Sequence, residues 1–239
     1  MLKVLTDFGV TPDLVVGSST GAINAAIYAS EPDFAPDSLE SMWNAVANDS
    51  ALSSTWRTAV RGLTGTQSTR TATSIRGYVE GIISDQTFAK LQIPLTLIAT
   101  DLDTGQGVAL SEGRVSDAVM ASSAFPVLLP PVEFHGDLLV DGSVSAAAPV
   151  LAAARAGAKS IILLDTGSSR ITDEQAQSAS WYAIMAFAFS HLVRGRAAHE
   201  LADIARTMPV VVLSCDQGAP LDLKSAPTLI HAGELVASK

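Results

Sequence analysis

The sequence predicts an α/β fold, a three-layer α/β/α domain in which helices cover both faces of a mostly parallel central sheet. Three observations point there. Apolar runs without polar alternation, LVV at 14–16, IPLTLIATD at 93–101 and SIILLD at 160–165, have the pattern of strands buried on both faces. Segments with helical spacing separate these runs. One corner, GSSTG at 17–21, passes directly from a strand into an alanine-rich helix.

Taken in order, MLKVLTDF reads as an amphipathic helix ended by Gly9, and Pro12 introduces a short strand from Asp13 to Val16. A helix from Thr20 to Ala29 follows the corner. Residues 37–47 form another, with Asp37 or Ser38 near its cap and Leu39, Met42, Trp43 and Val46 at helical spacing. The Ser/Thr/Gly-rich stretch 53–74, with Arg57, Arg61 and Arg70, has weak periodicity and predicts an irregular, mobile excursion carrying short helices. After the buried strand 93–101, DTGQG turns the chain into a second strand, GVALS. Val115–Ala124 is helical until Pro126, Pro130 and Pro131 break the pattern, and LLVDG at 138–142 closes another strand. PVLAAARAGA is a helix ended by Gly157, SIILLDTG is a buried strand, and helices flank PVVVLS at 209–214. No repeat or composition shift divides residues 1–239, which predicts one domain.

Composition narrows the function. The 239 residues carry a formal net charge of −9, with a pI near 4.8 and 48% hydrophobic residues. No basic footprint for nucleic acid exists, and net charge supplies no attraction to an anionic membrane, so any peripheral membrane contact must be apolar. Cys215, the single cysteine, sits in the apolar run MPVVVLSC and reads as a core or strand-end thiol. The N-terminus lacks the basic, apolar and cleavage regions of a signal peptide. The apolar helical stretch 181–193 is shorter than the ~20 residues of a membrane span. A cytoplasmic or peripheral membrane location is expected. No His/Cys/Asp cluster has metal-ligand spacing, and no cofactor is called for.

The corner Gly17-Ser18-Ser19-Thr20-Gly21 fits G-x-S-x-G between a strand and a helix, the setting of a nucleophile elbow. Small neighbours are needed because such a turn forces its central residue into a strained conformation. Gly17 and Gly21 would let strand and helix approach, Ser19 Oγ would project at the sheet edge, and the Thr20 backbone N–H would face a developing oxyanion. The simpler alternative is a helix cap or an anion site at this helix start; a phosphate loop is disfavoured because no lysine follows the glycines.

A serine nucleophile requires a base. His135, His191, His199 and His231 lack the loop context of a catalytic imidazole. Three aspartates, Asp101, Asp141 and Asp165, each end an apolar strand, and position alone does not choose among them.

The segments VVGSSTGAINAA, ATDLDTGQ, ASSAFPVLLPPV and LVDGSVSAAAPV, in this order, together with the closing LIHAGELVASK, resemble the patatin-like phospholipase family over essentially the whole chain. The resemblance implies a patatin-like fold and a Ser–Asp dyad without histidine. Carried over, the dyad is Ser19 and the Asp141 of the D-G-G/A motif, with Gly142 conforming and Ser143 replacing the usual Gly or Ala. It makes Asp101 and ASSAFP structural parts of the site's walls. It also implies a first strand and a glycine-rich oxyanion loop ahead of MLKVLTDFGV; neither occurs in this sequence, so the domain is expected to be N-terminally truncated relative to the family, or a short variant with weakened chemistry. The implied substrates are lipid or other acyl esters, with Trp181, Tyr182, Phe187 and Phe189 offering an acyl-channel or membrane-facing surface. The rival classes are a non-catalytic lipid- or partner-binding relative and a Ser-His-Asp hydrolase. The latter is disfavoured because that fold places several strands before its elbow.

Overall fold

The computed structural model describes residues 1–49, 73, 76–83, 86–126, 129–166, 181–215 and 226–238. Helix α1 (Leu2–Asp7) ends as expected at Gly9, whose φ of 71° lets the Gly9 and Val10 amides fold back onto the Thr6 and Leu5 carbonyls. Strand β1 (Val15–Ser18) begins and ends later than the sequence suggests, because Gly17 and Ser18 continue to pair with Leu97 and Ile98. Helix α2 (Thr20–Ser30) follows at once. Helix α3 (Ala35–Asn48) starts ahead of the expected residue 37, with Pro36 in a first turn where a missing N–H costs nothing. Except for Thr73, the excursion 53–74 lies outside the described residues.

Strand β2 (Leu95–Asp101) organises the sheet. Strand β3 (Gly107–Leu110) returns antiparallel along one edge, through a turn with Gly105 at φ 69°. The other edge is shared. There β1 pairs in parallel with Leu95–Ile98, and β5 (Asp137–Asp141) pairs antiparallel with Ala99–Asp101. The register requires this: Thr100 pairs with both Gly107 and Val140, and Ile98 with both Ser18 and Ala109, so β1 and β5 both lie opposite β3. The two strands therefore run toward each other and stop at adjacent positions, Ser18 beside Ile98 and Asp141 beside Ala99. Strand β4 (Val132–Phe134) forms a hairpin with β5 through His135 and Gly136, both at positive φ as a tight hairpin turn demands. The turn is legible in EFHGD, whereas β4 itself is too short to show a period.

Helix α4 (Val115–Ser122) packs on β2, β4 and β5, and α5 (Val150–Arg155) ends at Gly157 with φ 98°. Strands β6 (Ile161–Asp165) and β7 (Val210–Ser214) pair in parallel as a separate two-stranded sheet, accompanied by α6 (Trp181–Ala205) and α7 (Ala226–Ala237). The α/β class and the flanking helices are as expected, and the pairings are mixed: β1–β2 and β6–β7 are parallel, while β2–β3, β2–β5 and β4–β5 are antiparallel. The expectation that 160–165 is a fully buried strand is corrected. Ile162 and its register partner Val211 are 45% and 55% exposed, since β6 and β7 pair only with each other among the described strands and turn these side chains outward. Helix α6 is longer than its apolar part. Arg194, Arg196, Glu200 and Asp203 occupy its second half, and no described helix is long and apolar enough to cross a membrane.

The core lies between α2 and the sheet. Ala22, Ala26 and Ile27 of α2, Leu97 and Ala99 of β2, and Val115 and Val119 of α4 are all fully buried, with Leu39 and Met42 of α3 closing the outer side. Alanine on α2 keeps the helix close to the sheet, and each large aliphatic side chain such as Ile27 contributes about 1.5–3 kcal/mol by leaving water.

Candidate active site

The corner is shaped by packing. A Cβ on Gly17 would fall 2.6 Å from the Gly21 carbonyl oxygen and 2.7 Å from Ala25 Cβ, so only glycine lets β1 pass this close to α2. Ser19 then takes up φ 57° and ψ −131°, a conformation that costs a non-glycine residue about 1–3 kcal/mol. Although Ser19 occupies the cap position of α2, its side chain caps nothing. Instead, Ser19 Oγ donates to Asp141 Oδ2 at 2.7 Å. Thr20 opens the helix on the exposed side of the corner, and its N–H belongs to the first turn, where no intrahelical acceptor exists. Gly21 has open space where a Cβ would project, so the close approach expected of both motif glycines falls to Gly17 alone.

Asp141 reaches the corner from the opposite direction, as the last residue of β5. A Cβ on Gly142 would overlap the Ile98 carbonyl and lie 2.7 Å from Ser18 Oγ, so glycine is also required where the two strand ends meet. Asp141 is 1% exposed, and its second oxygen, Oδ1, accepts the Ser143 N–H at 2.8 Å. Burial pushes its carboxyl above the ordinary carboxylate range, while the donors on Ser143 and Ser19 pull the other way with smaller effect. The result is a buried acceptor, reluctant to hold charge, on a serine hydroxyl.

Buried hydroxyls fix both backbones. Thr100 Oγ1 donates to the Asp141 carbonyl at 2.9 Å and accepts the Ser145 N–H at 3.2 Å. On the serine side, the Ser19 N–H donates to Ser122 Oγ at 3.2 Å and the Ser19 carbonyl accepts from Ser123 Oγ at 3.0 Å. Sequence reading placed ASSAFP in the walls only through the family resemblance and missed these contacts. Their one signal is a polar doublet at the end of a mostly apolar helix.

The other candidates lie elsewhere. Asp101 closes its own turn, accepting Thr104 N–H at 2.6 Å and Thr104 Oγ1 at 2.8 Å, and these donors hold its carboxyl below the usual range. Asp165 pairs with Arg194 at 3.2 Å and accepts Ser214 Oγ at 3.2 Å. His135 and His231 face Glu112 and Glu234, and His191 and His199 are exposed on α6. Cys215 is a buried free thiol just after β7. Of the apolar helix, Phe189 meets Phe125, two residues beyond Ser123, edge to face with ring centroids 5.6 Å apart. The side chains of Trp181, Tyr182 and Phe187 lie outside the described residues.

Comparison with known proteins adds a family. Residues 1–154 match the profile described as Patatin-like phospholipase. Over 212 residues the chain is 30% identical to an uncharacterized NTE family protein of Mycobacterium tuberculosis, the match covering 85% of this chain and 55% of that protein. It is 29% identical over 176 residues to patatin-like phospholipase domain-containing protein 6 of Homo sapiens, covering 72% of this chain and 12% of the relative. It is 26% identical over 175 residues to patatin-like phospholipase domain-containing protein 7 of Mus musculus, covering 72% and 13%. The chain thus spans about half the length of the mycobacterial relative and about an eighth of the mammalian ones.

Proposed function

Because the chain belongs to the patatin-like phospholipase family, we propose that it is a lipid acyl-ester hydrolase of the phospholipase A or lysophospholipase kind, working through a Ser19–Asp141 dyad and an acyl-enzyme. The observation that carries the reading is the 2.7 Å hydrogen bond from Ser19 Oγ to a buried carboxylate, made by a serine whose side chain leaves the helix uncapped.

The chemistry follows from that contact. Asp141 takes the hydroxyl proton as Ser19 Oγ attacks the ester carbonyl, and the Thr20 N–H donates to the oxyanion that forms. The C–O bond to the leaving alcohol or lysolipid breaks, and Asp141 returns the proton to it. Water then enters, gives a proton to Asp141 and attacks the acyl carbon; collapse releases the fatty acid and restores the Ser19 hydroxyl. Burial of Asp141 supports its part, since a carboxyl with raised proton affinity is a better base than one in water. The partly buried Phe125–Phe189 pair supports an apolar substrate, because it sets aromatic surface beside the segment that bonds the Ser19 carbonyl.

A fluorophosphonate probe tests the reading, applied to the folded chain and to Ser19→Ala. Covalent labelling of the wild type and none of the variant is expected. A folded wild type that takes no label overturns it in favour of a binding protein on a hydrolase fold.

A further inference from the structure

We propose that Ser122 and Ser123 are positioning residues, which clamp the Ser19 peptide on both sides and so hold its Oγ on Asp141. The inference rests on the hydrolase reading and extends it to residues that touch no substrate atom.

Ser19 is one of only two non-glycine residues at positive φ among the described residues, and the other, His135, sits in a hairpin turn. A strained conformation persists only where its surroundings over-determine it. Two serines consecutive in the chain supply the restraint. Ser122 Oγ donates its single proton to the Ile98 carbonyl at 2.6 Å, so toward Ser19 it offers only an acceptor, and the Ser19 N–H occupies it at 3.2 Å. Ser123 Oγ donates to the Ser19 carbonyl at 3.0 Å, an oxygen that also accepts the Ala22 N–H at 2.9 Å. Both backbone polar groups of Ser19 are therefore fixed, and the corner cannot relax without releasing one of them.

The anchor point gives the clamp its meaning. Ile98 pairs with Ser18, and its neighbour Ala99 pairs with Asp141. By tying the Ser19 amide to the Ile98 carbonyl, Ser122 references the nucleophile to the stretch of β2 that places the base. Ser122 is wholly buried and Ser123 is 9% exposed, beneath a helix whose other residues are mostly Val, Ala and Met. Hydroxyls in such a place are unfavourable unless bonded, and both spend their bonds on this seam and corner.

Ser122→Ala and Ser123→Ala test the clamp against the wild type, with thermal melts to establish folding. The first readout is the rate of acylation by a fluorophosphonate, with kcat and KM on a p-nitrophenyl acyl ester. Ser122→Ala is expected to lower the acylation rate and kcat by about 10- to 100-fold, because small misplacements of a nucleophile carry losses of that order. KM should stay within about twofold, since uniform substrate binding is untouched. Ser123→Ala is expected to lose less, because Ala22 still serves the carbonyl. The second readout is a crystal structure of Ser122→Ala, in which φ of Ser19 should leave the positive region or Oγ should part from Asp141. A folded Ser122→Ala that acylates at the wild-type rate, or whose Ser19 keeps its positive φ and its bond to Asp141, overturns the clamp. If the wild type takes no label, the hydrolase reading falls, and the crystal structure alone decides the clamp. If Ser122→Ala does not fold, the same two readouts are taken on Ser123→Ala, where an unchanged acylation rate or an unmoved Ser19 again overturns the clamp.

Discussion

Asp141 and Asp165 end strands that read almost alike, LLVDG and ILLDTG, yet the fold gives them opposite electrostatic settings. Asp165 finishes β6 in a two-stranded sheet, partly exposed, and meets the Arg194 guanidinium 3.2 Å away. Asp141 finishes β5 against the β1 end of the five-stranded sheet, is 1% exposed, and meets neutral donors from Ser19 and Ser143. The Asp165 carboxylate is held by a fixed cation. The Asp141 carboxyl meets only neutral donors, and its burial raises its proton affinity. What separates a structural carboxylate from a candidate base is the partner delivered by long-range pairing, not the strand that precedes it.

The largest expected effect breaks this pair apart. Asp141→Asn should lower ester hydrolysis by about 10²–10⁴-fold, the usual worth of a positioned general base, whereas Asp165→Asn should leave kcat/KM unchanged. Parallel steady-state assays check both, and an equal loss in the two would erase the distinction. Next comes packing at the corner. Gly17→Ala should destabilise by about 1–3 kcal/mol through overpacking against Ala22 and Ala25, and Gly21→Ala should be near neutral in the same denaturant titration.

A third test uses pH. The Asp141 carboxyl is raised on folding, so between its ordinary value near ~3.9 and its folded value the native state binds more protons than the unfolded one. Stability associated with this group is thus fully present below the ordinary value and lost as pH rises through the raised one. Asp141→Asn should therefore melt above the wild type at pH 8, the gap closing in acid. Activity runs oppositely, with the acidic limb of kcat/KM falling as the carboxyl protonates, above the ordinary carboxylate range. The smallest effect belongs to the other aspartate: Arg194→Ala should cost under about 1 kcal/mol, because the Asp165 pair is partly solvated.

Much of this was legible in the sequence, for definite reasons. The corner announces itself because G-x-S-x-G between a strand and a helix is a local pattern, and Gly17 is irreplaceable for a local reason. Asp141 was not legible by position, since Asp101 and Asp165 have the same apolar approach; only family resemblance singled it out. The antiparallel docking of β5 on β2 depends on a pairing over about forty residues that no period encodes. Ser122 and Ser123 read as ordinary polar residues at a helix end, because their partners, Ile98 and Ser19, are remote in sequence. The exposure of Ile162 and Val211 escaped for the converse reason: an apolar run records what a strand is suited to cover, not how many neighbours arrive.

The meeting of β1 and β5 end to end on one edge of β2 has a bearing on how the chain is made. Ser19 and Asp141 are separated by 122 positions, and each is set by its own docking onto the same central strand. Ser19 precedes the β4–β5 hairpin in the chain, and until β5 docks on β2 its Oγ lacks the Asp141 acceptor. The docking of β5 on β2 joins residues about forty positions apart, and non-local pairings are slow steps. Under the proposed dyad, a mechanism-based probe added to a refolding chain should time-stamp the arrival of β5, turning the site into a chemical clock for one long-range contact of the sheet.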